Sequence, residues 1–292
     1  MREQLYQFYL TLIRITGLVY FINHLRVATA LSRGALVAPL RTIKDSNPVS
    51  WEFSAFSQNG EDGIIDQLTR KLIKSNHYFI EIGAYDGIEC NTAYLAIARK
   101  YNGLMVEGNK YRAQIAKRMM ASFNIGCTCA QLFVSKETIP ILKKMACYTD
   151  PDVLSLDIDG VDYYIAKKIL TTGFRPKIFV VEYNSVYGPD NKVTIPYKPD
   201  FDYNQESSTQ LYFGCSIAAW KDLFTAHGYQ FVTVDSRGAN AFFIHPDYFD
   251  KVFVKNLRGL NFQENFNHMR KYAVPWKEQF NKIRGLAFKK IK

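Results

Sequence analysis

The sequence predicts an α/β protein built on a seven-stranded, mostly parallel sheet with helices on both faces. Apolar strand-like runs alternate with helical patterns along most of the chain, and strands that alternate with helices specify a parallel sheet. A glycine turn follows the first run, and a turn of four residues, 236–239, joins the last two runs. Because that turn is too short for a helical crossover, the last two strands are predicted to pair antiparallel.

The elements follow in order along the chain. The predicted strands are residues 78–82, 103–107, 125–134, 153–158, 178–183, 229–235 and 240–245. The predicted helices are residues 61–75, 91–101, 110–121, 137–146, 161–172 and 216–227. Pro39, Asn47 and Pro48 mark a boundary before the first of them, because these residue types interrupt regular structure. We therefore divide the chain into an N-terminal helical segment (1–50), the sheet domain (51–250) and a basic amphipathic C-terminal extension (251–292).

Composition restricts the class of protein and its partners. The chain of 292 residues is 48% apolar and 22% charged, which favours a folded core over disorder. The net charge of +10 is uneven: residues 1–50 carry 6 Lys and Arg against 2 acids, and residues 251–292 carry 11 against 2. Basic ends favour an anionic partner. The five cysteines include no C-x-x-C pair, so we expect neither a disulfide framework nor a zinc site, but reduced thiols in a cytosolic protein.

Residues 4–25 are apolar and aromatic, but Arg14 interrupts them. The uninterrupted apolar stretch from Ile15 to Ile22 is too short for a membrane-spanning helix, and no small-residue cleavage site follows it. An amphipathic helix is the better interpretation. It would pack on the domain or lie at a membrane interface. The apolar residues of this helix are Leu10, Ile13, Leu18, Tyr20 and Phe21.

A glycine turn and a distant acid predict a nucleoside site. Glu81-Ile82-Gly83-Ala84-Tyr85-Asp86-Gly87 follows the first strand, and the second strand ends in Glu107. A glycine turn lets the backbone approach a ligand, and an acid at the end of the next strand accepts hydrogen bonds from a ribose. No third glycine is spaced to hold a pyrophosphate. The pattern resembles the S-adenosylmethionine (SAM) site of class I methyltransferases more than a dinucleotide site.

Neighbouring polar residues extend this predicted cofactor site. A buried Glu81 needs backbone donors or the amino group of a ligand. Asn91 is either a helix cap or a partner of the ligand carboxylate, and the segment 56–65 is either a capped helix start or a polar lid over the methionine part of SAM. The predicted cofactor-binding residues are Gln58, Glu61, Glu81, Gly83, Ala84, Tyr85, Asp86, Asn91 and Glu107.

Acids gather after the fourth and fifth strands. Asp157 and Asp159 follow the fourth strand, and Glu182 and Asn184 follow the fifth. Adjacent parallel strands end at the same sheet edge, where α/β proteins bind ligands. We predict Asp157, Asp159 and Glu182 as catalytic, with one carboxylate acting as a general base for a hydroxyl nucleophile. Alternatively Asp157, Glu182 and Asn184 ligate Mg²⁺ through oxygen atoms.

Together with "SQNGEDG", "LSLDIDGVDYY", "VVEYN", "FGCS" and "NAFFI", the glycine turn and Glu107 resemble the FkbM-type family of SAM-dependent methyltransferases over about residues 53–247. The resemblance implies a Rossmann-like class I fold, SAM as donor, and a hydroxyl acceptor on a sugar, glycan or secondary metabolite. That family places a glutamate before the glycine that follows strand four and another acid after it. Asp159 holds the first of those positions here, and Asp162 lies close to the second.

Two other classes of function remain open from the residues. "DIDG" is similar to the Asp-x-Asp-Gly motif of haloacid-dehalogenase-like phosphatases, in which Asp157 would be the nucleophile and Asp159 its neighbour at a Mg²⁺ ion. That motif normally opens its domain, and no later Gly-Asp-x-x-x-Asp follows. A non-catalytic SAM-binding or scaffold protein is the third class.

The two long segments after the fifth strand are predicted to recognise partners. The loop 188–208 should cover the acceptor, and Tyr187, Tyr197 and Tyr203 either stack on sugar faces or pack the loop onto the domain. The basic amphipathic pattern of residues 276–292 favours an anionic membrane surface over nucleic acid. The sequence thus predicts a cytosolic SAM-dependent O-methyltransferase, peripheral on the inner membrane face, that acts on a glycan or lipid-linked sugar.

Overall fold

A seven-stranded sheet forms the centre of the protein. The structure is a computed structural model that describes residues 18–291, except the side chain of Asn204. Its strands are β1 (Tyr78–Ile82), β2 (Asn102–Glu107), β3 (Cys127–Gln131), β4 (Val153–Leu156), β5 (Ile178–Glu182), β7 (Gln230–Val234) and β8 (Asn240–Ile244). The strand order is β3-β2-β1-β4-β5-β8-β7. Strand β8 is antiparallel to both neighbours, whereas the other pairs are parallel. The predicted fold class, including the closing hairpin, is confirmed.

Helices cover both faces of this sheet. They are α1 (Leu18–Val37), α2 (Glu61–Arg70), α3 (Ala93–Ile97), α4 (Lys110–Phe123), α5 (Ile139–Met145), α6 (Asp162–Thr171), α7 (Tyr203–Glu206), α8 (Ile217–Ala226), α9 (Lys251–Asn256), α10 (Phe266–Tyr272) and α11 (Trp276–Asn281). Every residue of β1 is buried, which is typical of a strand with helices on both sides. Two apolar clusters result, one on each face.

Helix α1 packs on the domain through one narrow stripe. Its buried residues are Asn23, Val27, Ala30 and Gly34, which recur at helical spacing. A Cβ atom at Gly34 would lie 2.9 Å from the Cβ atom of Ala55, so the helix approaches the domain closely at its C-terminal end. The predicted N-terminal helix is therefore present from Leu18 onward, while Leu10 and Ile13 lie outside the described residues.

The C-terminal segment also packs on the domain. Strand β9 (Lys289–Lys290) pairs with the short β6 (Val193–Thr194) to form a second sheet. Ile283 is buried, and the rings of Phe280 and Phe288 lie 6.4 and 5.5 Å from that of Tyr187. These three side chains of the predicted amphipathic tail are therefore covered by the domain itself. No helix within residues 18–291 is long and apolar enough to cross a membrane.

Candidate functional site

The carboxyl ends of β1 and β4 touch at the glycine turn. Gly83 has φ +92°, and a Cβ atom there would lie 1.7 Å from the carbonyl oxygen of Asp157. The N–H groups of Gly83 and Ala84 both donate to the carbonyl of Val106. Only glycine satisfies both the backbone conformation and the contact. The turn thus joins the ends of β1, β2 and β4 into one compact floor.

Above this floor lies a cavity of about 550 Å³, which we call the main cavity. Gln58, Gly83, Tyr85 and Glu107 line it, as the sequence predicted for a cofactor site. Its other lining residues include Asn109, Arg112, Leu132, Phe133, Val134, Asp157, Asp159 and Phe201. The volume and the apolar wall after β3 are suitable for a flat heterocycle joined to polar groups.

Glu107 is held at the edge of the main cavity by two backbone donors. The N–H of Tyr85 donates to Oε2 at 2.9 Å, and the N–H of Asn109 donates to Oε1 at 2.7 Å. Each carboxylate oxygen has a second lone pair that these bonds leave free for a ligand. The structure therefore orients an acceptor of hydrogen bonds at the position where the sequence predicted contact with a ribose.

Tyr85 and Arg112 form one wall of the main cavity. The sequence predicted Tyr85 as a site residue but not Arg112. Tyr85 has φ +50°, which is uncommon for a residue with a side chain. The guanidinium of Arg112 lies 4.2 Å from the centre of the Tyr85 ring, within the range of a cation–π contact. Arg112 also lowers the pKa of Asp159, although burial of that carboxyl raises the pKa more. Arg112 could not be predicted as a site residue, because its neighbours on α4 follow an ordinary helical pattern.

A smaller cavity of about 150 Å³, which we call the polar chamber, adjoins the main cavity. The two share Gln58, Gly83, Glu89 and Asp157. The chamber is lined by hydrogen-bonding side chains, and no Lys or Arg is among them. These side chains belong to Ser57, Gln58, Asn59, Glu61, Glu81, Glu89, Asn91, Asp157, Glu182, Asn240, Asn265 and Asn267. It therefore offers carboxylate and amide groups to a polar or cationic ligand.

Glu81 and Asn91 belong to a hydrogen-bond network beneath the polar chamber. The N–H of Thr92 donates to Glu81 Oε2 at 2.9 Å, and Asn91 Nδ2 donates to Ser155 Oγ at 3.1 Å. Burial raises the pKa of Glu81 to about 7, although hydrogen bonds from Thr92 and Ser155 to this carboxylate oppose the shift. Glu81 was expected to bind either backbone donors or the amino group of a ligand. The structure shows a backbone donor at one of its carboxylate oxygens. Glu81 and Asn91 both line the polar chamber.

Glu61 joins the same chamber from α2. Asn240 Nδ2 donates to Glu61 Oε1 at 2.9 Å, and the N–H of Asn59 donates to Oε2 at 2.7 Å. Glu61 thus both organises the start of α2 and faces the chamber, so the two roles considered for the segment 56–65 are compatible. Gln58 Nε2 donates to Glu89 Oε1 at 2.6 Å at the rim that the two cavities share.

Asp157, Asp159 and Glu182 form a carboxylate cluster in which one oxygen of each residue lies within 4.8 Å of the others. Burial raises the pKa of Asp157 and of Glu182 well above the usual carboxyl range, and the neighbouring carboxylates raise both further. No hydrogen bond joins these three carboxylates to another residue within the described part of the chain. The juxtaposition that the sequence predicted for these strand ends is therefore present.

Asn184 does not belong to this cluster, and its predicted role as a metal ligand is wrong. Its Nδ2 donates to the carbonyls of Leu211 and Phe213, and its Oδ1 accepts from the N–H of Val186. The amide is buried, its oxygen caps the short 3₁₀ helix Ser185–Tyr187, and Asn184 lines neither cavity. Asp162 is similarly occupied, because its carboxylate accepts from the N–H groups of Ile158 and Gly160.

Two predicted cofactor residues lie outside both cavities. Ala84 is buried behind the glycine turn. Asp86 lies 2.5 Å from the guanidinium of Arg26 on α1 and accepts from the N–H groups of Ile88 and Glu89. The structure thus assigns Asp86 contacts that shape the turn and attach α1 to it.

The loop 188–208 covers the site differently from the prediction. Phe201 lines the main cavity, and Tyr203 lines an open groove beyond it that also contacts Arg112 and Asp159. Tyr187 is buried, and its hydroxyl donates to the carbonyl of Phe213, so its predicted stacking on a sugar is wrong. Tyr197 packs against Tyr164 at 5.3 Å and is half-buried.

Comparison with protein-family models gives no match, and no curated protein matches the chain. The resemblance to the FkbM-type family therefore stays a prediction. Among solved structures, similar chains include an O-methyltransferase from Bacillus cereus in complex with SAH (12% identity, TM-score 0.41, 75% of this chain and 89% of that chain covered). A putative O-methyltransferase from Klebsiella pneumoniae has 14% identity and a TM-score of 0.38, with 62% and 74% covered.

A SAM-dependent methyltransferase from Aquifex aeolicus is a third similar structure, with 9% identity, a TM-score of 0.39, and 63% of this chain and 88% of that chain covered. Identities this low and TM-scores below 0.5 do not establish a shared activity.

Proposed function

We propose that this chain is a SAM-dependent O-methyltransferase whose acceptor is a hydroxyl of a sugar or another polyhydroxylated group. The main support is the glycine turn at Gly83 beside an oriented Glu107 in one cavity. In this proposal Glu107 accepts from the ribose hydroxyls, and Leu132 and Phe133 contact the adenine. The methionine part lies over Gly83, and its amino group reaches Glu81 in the polar chamber, so the acceptor would occupy only the part of the chamber next to Asp157 and Glu182.

The polar chamber supports a polyhydroxylated acceptor. Its amide and carboxylate side chains match the many hydroxyl groups of a sugar, whereas an apolar aromatic acceptor would leave them without partners. The chamber adjoins the main cavity at Gly83 and Asp157, where the methyl group of the donor would lie. A glycan, a lipid-linked sugar and a glycosylated secondary metabolite all satisfy this description.

The proposed reaction transfers a methyl group between two oriented ligands. The acceptor oxygen attacks the methyl carbon, a C–O bond forms as the C–S bond breaks, and the donor leaves as S-adenosylhomocysteine. An ionised carboxylate of Asp157 or Glu182 accepts the hydroxyl proton. The raised pKa values of this pair make each a stronger base than an exposed carboxylate. Holding the two reactants in line supplies much of the rate.

The carboxylate cluster also fits a divalent cation. Oxygen ligands on opposite sides of Mg²⁺ or Ca²⁺ lie about 4 to 5 Å apart, and one oxygen of each of the three carboxylates lies within 4.8 Å of the others. Asp157, Asp159 and Glu182 would hold the ion, which would lower the pKa of the acceptor hydroxyl. Loss of activity on chelation, with recovery on addition of Mg²⁺, separates this route from a direct carboxylate base.

Calorimetric titration with SAM tests the proposal. We expect saturable binding that Glu107→Gln weakens by about tenfold or more, because one charge-assisted acceptor for the ribose is lost. Glu278→Gln, on the exposed face of α11, is the matched control and should bind as the wild type does. No binding at millimolar SAM would exclude the methyltransferase and leave the phosphatase or scaffold interpretation.

Transfer of labelled methyl groups from SAM into a cell-envelope carbohydrate fraction tests the chemistry. Asp157→Asn and Glu182→Gln should each bind SAM and lose about 10²-fold or more of the transfer rate if the altered residue is the base. Full activity in both variants would contradict the assignment of the carboxylate cluster while leaving the cofactor site standing.

A further inference from the structure

The C-terminal segment contributes two side chains to the polar chamber. Asn265 and Asn267 line it from the start of α10. Every other lining residue of the chamber belongs to the sheet domain, 51–250. The C-terminal segment therefore forms part of the candidate site as well as part of the core.

Hydrogen bonds hold the start of α10 against the end of β5. Tyr183 Oη donates to the carbonyl of Gln263 at 2.5 Å. The N–H of Asn265 donates to Ser185 Oγ at 2.9 Å. A Cβ atom placed at Gly238, which has φ +73°, would lie 2.5 Å from the carbonyl oxygen of Gln263, so the turn between β7 and β8 also approaches this stretch closely. The two asparagines are thus fixed beside the strand end that carries part of the carboxylate cluster.

These two amides differ from the others in the chamber. Four other amide side chains line it, and the nitrogen of each already donates to a neighbouring side chain: those of Gln58, Asn59, Asn91 and Asn240. Asn265 caps α10 through Oδ1, which accepts from the N–H groups of Asn267 and His268. Within residues 18–291, however, no hydrogen bond uses the Nδ2 of Asn265 or the side-chain amide of Asn267.

The chamber needs such donors if it holds a polyhydroxylated group. A sugar hydroxyl both donates and accepts hydrogen bonds, whereas an ionised carboxylate only accepts them. The carboxylates of the chamber can therefore bind the hydroxyl protons of an acceptor, but they cannot donate to its oxygen atoms. Each amide nitrogen supplies two N–H donors. Asn265 and Asn267 thus offer what the carboxylates lack.

We propose that the side-chain amides of Asn265 and Asn267 bind the acceptor by donating to hydroxyl oxygens next to the one that is methylated. This inference rests on the proposed methyltransferase function and names residues that would hold its acceptor beside Asp157 and Glu182. The amino group of the donor is assigned to Glu81, so the two ligands use different side chains. Asn265 and Asn267 orient the acceptor and take no part in the proton transfer.

Transfer of labelled methyl groups from saturating SAM into the cell-envelope carbohydrate fraction tests the inference when the carbohydrate concentration is varied. Asn265→Ser and Asn267→Ala each remove the Nδ2 donors, and serine at 265 keeps an oxygen that can cap α10. Each variant should raise the half-saturating carbohydrate concentration by about two- to tenfold, the effect of one lost hydrogen bond. The rate at saturating carbohydrate should stay near that of the wild type, because neither side chain accepts the proton.

Asn281→Ala is the matched control, because Asn281 is an exposed amide of the same C-terminal segment and lines neither cavity. It should have the half-saturating concentration of the wild type. All three variants should keep the circular dichroism spectrum of the wild type and its dissociation constant for SAM.

Unchanged half-saturating concentrations in both variants would overturn the inference. Weaker SAM binding with an unchanged dependence on carbohydrate would also overturn it, and would assign the two amides to the carboxylate of the donor. A wild type that binds SAM but transfers no methyl group to the fraction would overturn it while leaving the cofactor site standing. A wild type that does not bind SAM would overturn the proposed function, and this inference with it.

Discussion

At the scale of single residues, Gly83 has the most demanding environment in the site. Its positive φ and its contact with the carbonyl of Asp157 are separate constraints, and a side chain violates both. Gly214 offers a natural comparison, since it also has a positive φ, +64°, but no atom lies within 4 Å of a Cβ placed there. Substitutions at these two glycines therefore distinguish the energetic effect of the backbone conformation from that of the steric contact.

We expect Gly83→Ala to lower the free energy of unfolding by about 3 kcal/mol or more, because the methyl group displaces backbone. Gly214→Ala should cost only about 1 to 2 kcal/mol, the price of the left-handed conformation alone. Chemical denaturation measures both. Similar losses in the two variants would contradict the contact between the ends of β1 and β4.

Glu81 should make stability depend on pH. Its pKa is raised from 4.5 to about 7 in the folded protein, so between those values the folded state binds a proton that the unfolded state has lost. The contribution of Glu81 to the free energy of unfolding should therefore fall by about 3 kcal/mol as the pH rises from about 4.5 to about 7. Glu81→Gln lacks this contribution.

Thermal unfolding of the wild type and Glu81→Gln across that pH range checks the shift. As the pH rises, Glu81→Gln should become more stable relative to the wild type. Glu278→Gln, which removes an exposed carboxylate, should follow the wild type. Parallel profiles for the wild type and Glu81→Gln would show that the carboxyl is not perturbed.

At the scale of elements, the strands were predictable and the ends of several helices were not. Strand β1 lies where its apolar run predicted, because burial on both faces leaves a continuous apolar signal. The helix predicted at 91–101 is only α3, Ala93–Ile97. Residues before it form a turn in which Asp86 accepts backbone hydrogen bonds and Thr92 donates to Glu81. Such tertiary bonds leave no periodic trace in a sequence.

In the candidate site, too, some features could be predicted from the sequence and others could not. The acids at strand ends were predictable, because parallel strands end at a common edge. Asn184 was misassigned, since an amide that caps a short helix and an amide that binds metal have the same local sequence context. Asn265 and Asn267 were missed because they reach the polar chamber from a segment more than 80 residues beyond β5.

The C-terminal segment should contribute directly to stability. Ile283 is 1% exposed, whereas Leu286, three residues later, is half-exposed. Ile283→Ala should lower the free energy of unfolding by about 2 to 4 kcal/mol, because it leaves a cavity against the domain. Leu286→Ala should change it by less than about 1 kcal/mol. Equal effects measured by denaturant unfolding would show that this segment is not part of the core.

At the scale of the whole molecule, the N-terminal segment, the central domain and the C-terminal segment differ in charge and composition but pack together through buried apolar side chains. Val27 and Ala30 of α1 are buried in the same apolar cluster as Trp51 and the side chains on one face of the sheet. Ile283 belongs to the cluster on the opposite face. The basic ends are therefore attached to the near-neutral central domain by buried apolar contacts, and not only by the chain.

We therefore expect a single cooperative unfolding transition for the full chain. Differential scanning calorimetry should give a calorimetric enthalpy equal to the van't Hoff enthalpy, because the clusters on both faces share the sheet. A separate low-temperature transition that disappears when residues 1–50 or 251–292 are removed would show that the division predicted from the sequence corresponds to independent units.

The contact at Gly83 also has a consequence for how ligands enter and leave. Because the ends of β1 and β4 are pressed together, the floor of the site cannot widen without breaking backbone contacts. Ligands must then exchange past another part of the cavity lining, such as Phe201 of the loop 188–208, which lies 3.2 Å from a Cβ placed at Gly160. The rate at which small molecules enter and leave would then depend on the loop residues around the cavity, Phe201 among them, while the floor keeps its shape.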